Sequence, residues 1–151
     1  MDTNFSIELK TLLDQSHREA VRHNDRVVRV EHILLAIMSS PDNAAYATLQ
    51  RLVDPDTMYQ IRDSLDKRLH VLPEEDRQMQ VTIVSDLANR IIKLSVLEAR
   101  MLKSNVVDSK HLLLALFHNS EVQGLEMMDG FKEAGVTYES LYQLLANVAD
   151  L

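Results

Sequence analysis

Six histidines and no cysteine are among the residues of this 151-residue chain that could carry chemistry. A transition-metal site needs such rings set beside carboxylates or further rings at ligand spacing. His17 and His23 are six apart and do not share a helical face, while His111 and His118 stand two turns apart, too far for one ion. Neither pair has a carboxylate or cysteine at ligand spacing, so no metal site is expected. Serine, histidine and aspartate are all present, but no motif marks a nucleophile, its base and an orienting group. The three glycines, at 124, 130 and 135, cannot build a phosphate-binding loop. No catalytic residue and no cofactor is expected.

Two of the histidines share a setting. His32 lies in Val27–Met38, VVRVEHILLAIM, and His111 in Val106–Phe117, VVDSKHLLLALF. The two stretches align without a gap at an offset of 79 residues, so the chain is a tandem duplication. Each ring begins an apolar helix after a β-branched pair. That duplicated position predicts a structural role, a ring packed in the core with one nitrogen satisfying a nearby backbone group. The residues just before the rings have diverged: Arg29, Val30 and Glu31 in the first copy, Asp108, Ser109 and Lys110 in the second. Ser109 can cap its helix and Val30 cannot. Glu31 suits the positive end of a helix dipole, whereas Lys110 opposes it. These six are the candidate partner-binding residues, and a groove near the twofold between the copies would be electrostatically asymmetric.

The elements that must hold these positions are helical. Phe5, Leu9, Leu12, Leu13, Ser16 and Ala20 keep one face of a first helix, with Ser6 as its cap and Asn24-Asp25 as its stop. A nearly all-apolar second helix over 31–39 should be central. A third spans 44–52, and a fourth begins at Pro55 behind the cap Asp54 and runs to Leu69. Residues 70–84 read as a linker ending in an extended Val81–Val84. The second half repeats the plan, with Ser85, Ser95, Glu98 and Ala99 matching Ser6, Ser16, Glu19 and Ala20. Its helices are expected at about 85–102, 110–119, 122–134 and 138–148. The architecture is then all-α, one domain over 1–151, with eight helices in two four-helix repeats, 5–69 and 85–149.

Composition agrees. Hydrophobic residues at 46% and charged ones at 26% describe a globular chain, and 3 Gly, 3 Pro and 5% aromatics leave little turn chemistry for a many-stranded fold. The formal charge of −7 opposes phosphate-backbone binding, so no nucleic-acid partner is expected. Arg18, Arg22, Arg26 and Arg29 read as a solvated face near a helix C-terminus. No signal peptide or membrane-length apolar run is present, which predicts a cytoplasmic location and no membrane partner.

The paired helix starts, each behind an S-x-x-E-A helix at Ser16–Ala20 and Ser95–Ala99, resemble the N-terminal double-repeat domain of Clp AAA+ unfoldases, the ClpC/ClpA branch in particular. The resemblance spans essentially the whole chain, including the turn at Ala134-Gly135-Val136. It implies a domain that recruits adaptor proteins and protein substrates for a hexameric Clp ATPase, itself monomeric when isolated, binding without hydrolysing ATP. The alternative is a free-standing double-repeat protein that docks on a Clp protease and regulates it. In ClpC proteins the acid of each E-H motif helps to bind phosphoarginine. Glu31 matches that acid, Lys110 departs from it, and Val30 replaces the usual threonine.

Overall fold

The computed structural model describes residues 4–69 and 83–149. The first half contains α1 (Ile7–Arg22), the short strand β1 (Val27–Val28), α2 (Val30–Ser39), α3 (Ala44–Gln50) and α4 (Pro55–Leu69). The second contains β2 (Ile83–Val84), α5 (Asp86–Met101), α6 (Ser109–His118), α7 (Ser120–Gln123), a 3-10 turn (Glu126–Met128), α8 (Asp129–Glu133) and α9 (Tyr138–Ala149). Most of the expected linker, residues 70–82, lies outside the described residues, as does the start of Val81–Val84.

Ser6 and Ser85 start α1 and α5 alike, each accepting an N–H three residues on, from Leu9 and Ala88, at 3.0 and 3.1 Å. Both helices end in a left-handed residue, Asn24 and Lys103, each with φ 59°. The paired N–H bonds that follow, Asn24 to Val21 and Asp25 to Ala20, then Lys103 to Arg100 and Ser104 to Ala99, close the last turns. α2 and α6 form the centre. Ile33, Leu34, Leu35 and Ile37 are at most 1% exposed, and Leu112, Leu113, Leu114 and Leu116 fully buried. Each such side chain contributes about 1.5–3 kcal/mol of transfer free energy. α1 packs on α2 and α5 on α6.

The halves also exchange contacts. β1 pairs with β2 in parallel, Val27 with Ile83 and Val28 with Val84, and Phe5 bridges to Val107. Ser6 N–H donates to Val107 C=O at 3.0 Å, and Ser85 N–H to Val28 C=O at 2.9 Å. Each long helix therefore starts against the segment that leads into the other half's central helix. The β propensity of the sequence predicts the extended Ile83–Val84, but not its partner, because the pairing is set by contacts more than fifty residues apart in sequence.

One expected helix is not continuous. Residues 122–134 form the end of α7, the 3-10 turn and α8, with the break at Gly124-Leu125. Val122 and Phe131 are both fully buried, yet nine residues apart they would face opposite sides of a straight helix. Breaking the chain between them lets both reach the core.

Candidate functional site: the paired helix starts and the α4–α8 groove

Each central helix begins on an extended N-cap residue, Arg29 or Asp108, whose backbone N–H points back at the ring three residues ahead. Arg29 N–H donates to His32 Nδ1 and Asp108 N–H to His111 Nδ1, both at 2.9 Å. The histidines thus take the place that Glu or Gln holds in a capping box. Both rings are fully buried. Burial pushes the His32 imidazole down to about 4 against the pull of Asp25, and burial followed by Lys110 pushes His111 down. The rings are therefore neutral, with the proton on Nε2, and both Nε2 atoms are buried without a partner among the described residues. His32 Nε2 stands 3.9 Å from Asp25 Oδ2, beyond hydrogen-bond reach.

The diverged residues are placed unequally. Val30 is 2% exposed and Ser109 fully buried, so neither side chain can meet a partner, contrary to expectation. Nor does Ser109 cap α6, because Asp108 holds that position. Its Oγ instead accepts the Ala45 N–H at 2.9 Å, and its own N–H donates to Glu8 Oε1 at 2.9 Å. The other Glu8 oxygen accepts the Ala44 N–H, so this one carboxylate ties the starts of α3 and α6 together. Arg29 is exposed but bound to Asp25, Nε to Oδ2 at 2.8 Å. Burial alone would raise the Asp25 carboxyl; the Arg29 and Val27 hydrogen bonds hold it below the ordinary value. Glu31, Asp108 and Lys110 are half-buried.

Glu31 lines a recess of about 250 Å³ with Leu65, Arg68 and Leu69 of α4 and Leu125–Met127. Next to it, sharing Arg68, Glu126 and Met127, runs a groove of about 690 Å³ between α4 and α8. The Arg68–Glu126 ion pair, 3.1 Å, lies where the two meet. Close approach of the groove's walls depends on Gly130, where an added Cβ would stand 2.7 Å from Ile61 Cγ1. At one lip Asp54 accepts both the N–H and the hydroxyl of Thr57 at 2.9 Å, and these bonds hold its carboxyl below the ordinary value.

A convergence of ligand types also appears that the histidine spacings did not predict. Glu19, His23 and Asp66 bring ligand atoms within 4.8 Å of one another. The Glu19-to-His23 step of four residues was the readable signal; Asp66, from α4, was not readable. Arg22 spans the two carboxylates, at 2.7 Å from Glu19 and 2.5 Å from Asp66, and so supplies the positive charge a metal would bring. The group is an ion-paired staple between α1 and α4.

Comparison with known proteins agrees with this fold. The model of the Clp repeat (R) N-terminal domain family matches residues 4–131. The ClpC ATP-binding subunit of the ATP-dependent Clp protease from Staphylococcus saprophyticus is 29% identical over 110 residues, 73% of this chain but 13% of that protein. The chain thus aligns with a small part of that relative's length. In fold, the N-domain of ClpV from Vibrio cholerae superposes with a TM-score of 0.76 at 15% identity, over 97% of this chain and 86% of that one. A ClpV N-domain solved in complex with VipB peptide gives 0.68 at 15% identity, over 99% and 95%. Among the described residues no helix is long and apolar enough to cross a membrane. With two pinned helix starts at matching positions and a family match over most of its length, the chain belongs to the Clp repeat (R) N-terminal domain family.

Proposed function

We propose that this chain is the recruiting domain of a ClpC/ClpA-like AAA+ unfoldase in the cytoplasm, binding adaptor proteins and protein substrates and handing them to a hexameric ATPase. It acts by binding alone, needs no cofactor, and is a monomer when isolated. The observation that carries this reading is the division of labour at the helix starts. His32 and His111 are sealed inside, while Arg29, Glu31, Asp108 and Lys110 keep surface beside them. A geometry so fixed beneath, with charges that differ above, suits a module whose scaffold is constant and whose partners vary. The peptide complex of the ClpV N-domain supports protein segments as the ligand class, and the short alignment to a ClpC subunit supports attachment to a larger machine.

Glu31 is the residue proposed to meet a guanidinium group. Glu31→Lys should abolish binding of a phosphoarginine-bearing peptide measured by calorimetry, with the melting temperature unchanged; unaltered affinity removes Glu31 from the site. The larger reading is tested by the genomic reading frame beyond Leu151. An in-frame AAA+ module supports it. A stop codon overturns it in favour of a free-standing regulator of a Clp protease.

A further inference from the structure

The described residues that line the groove between α4 and α8 leave it with a net negative charge. Asp54, Glu126, Asp129 and Glu133 line it against one cation, Arg68, and Arg68 is already paired with Glu126. Among the described residues the side chains of Asp129 and Glu133 have no hydrogen bond or ion pair. Beneath the acids lies apolar surface from Val53, Ile61 and Met127, and Leu52 is 38% exposed at the edge. At one end the groove continues, across the Arg68–Glu126 pair, into the recess of Glu31.

We propose that this groove is a docking track for an extended basic segment of a partner protein, its Lys or Arg side chains meeting Asp129, Glu133 and Asp54 and an apolar residue seating over Ile61 and Met127. An apolar floor alone would accept many segments; the uncancelled carboxylates select cationic ones and speed their encounter. The Arg68–Glu126 pair is the cost of entry, because an incoming cation competes with Arg68 for Glu126. Both partners are exposed enough to exchange easily, at 40% and 82% of the side chain. The site uses carboxylates other than Glu31 and asks for no phosphate on the ligand. It rests on reading the chain as the recruiting domain of an unfoldase, a reading that fails separately, on the reading frame beyond Leu151.

The test is fluorescence anisotropy with a labelled peptide alternating arginine and leucine, and the same peptide with citrulline for arginine. The expected result is that citrulline and the pair Asp129→Asn with Glu133→Gln each weaken binding about tenfold. Removing two exposed acids elsewhere, Asp14→Asn with Asp42→Asn, should change it less than about twofold, the residue of screened long-range attraction. Arg68→Ala should tighten binding by freeing Glu126. Equal losses from the two pairs of substitutions would reduce the effect to net charge and overturn the proposal. Equal binding of the citrulline peptide, or weaker binding after Arg68→Ala, would overturn it as well.

Discussion

In the first half of the chain a buried glutamate is answered by a guanidinium; in the second half the matching glutamate is answered by a phenol and an imidazole. Glu19 and Glu98 are 5% and 3% exposed. Glu19 accepts from Arg22 at 2.7 Å and Gln15 at 3.1 Å, both on its own helix. Glu98 accepts from Tyr138 Oη of α9 at 2.6 Å and lies 2.9 Å from His118 Nδ1 of α6, with the His118 and Tyr138 rings stacked at 4.1 Å. The requirement is common to both halves, since a carboxylate taken from water must be given donors. The donors themselves have drifted. The helix starts show the same rule, with the histidine kept twice and its flanking residues changed.

The largest expected effects test whether the two halves are equivalent where they look it. His32→Ala and His111→Ala each remove a fully buried ring and orphan an N-cap N–H, so each should cost about 2–4 kcal/mol in urea unfolding. A cost below about 1 kcal/mol at either position would break the equivalence. The next concerns pH. His32 titrates near 4 in the fold against 6.5 when free. As pH falls from 6.5 towards 4 the unfolded chain takes its proton first, so the His32 contribution, complete above 6.5, is lost over that window, up to about 3 kcal/mol. His111 acts in the same sense. Asp25 and Asp66, held below their ordinary values, add their losses only at lower pH, so urea midpoints at pH 7 and pH 4.5 report mainly the histidines.

Smaller effects probe the differences. Tyr138→Phe strips the donor from Glu98 Oε1 and should cost about 1–2 kcal/mol, whereas Gln15→Ala beside Glu19 should cost about 0.5 kcal/mol because Arg22 remains. Equal costs would mean that the two carboxylates are held alike after all. Smallest is the pair of left-handed helix ends. Lys103→Gly should stabilise by about 0.5–1 kcal/mol, and Asn24→Gly by only a few tenths, since asparagine tolerates φ 59° better than lysine does. Thermal melts rank the two.

The duplication, the Ser6 and Ser85 caps and the central, all-apolar α2 and α6 were legible because they are local patterns repeated at one offset. The exchange of Ile83–Val84 onto Val27–Val28 was not, since it joins segments far apart in sequence. A continuous helix over 122–134 was the wrong reading because periodicity ignores what lies on the other side: Val122 and Phe131 both have core to reach. At the site, Glu31 and Arg29 could be picked out as charges flanking a buried start, while Ser109 was misread. A serine beside a helix start suggests a cap, and only the fold shows that α3 has come to its hydroxyl. The α4–α8 groove is not legible in the sequence for a similar reason, as its acids come from distant elements and none stands in a motif.

The central claim is that both histidines are neutral internal acceptors that fix the helix starts, leaving recognition to the residues around them. Long-range proton–nitrogen correlation spectra of the imidazoles, recorded from pH 7 to pH 5, test it directly. The account predicts that His32 and His111 both show an unprotonated Nδ1 and a protonated Nε2 throughout. A proton on Nδ1 of either ring, or a ring that becomes an imidazolium near pH 6, would contradict it.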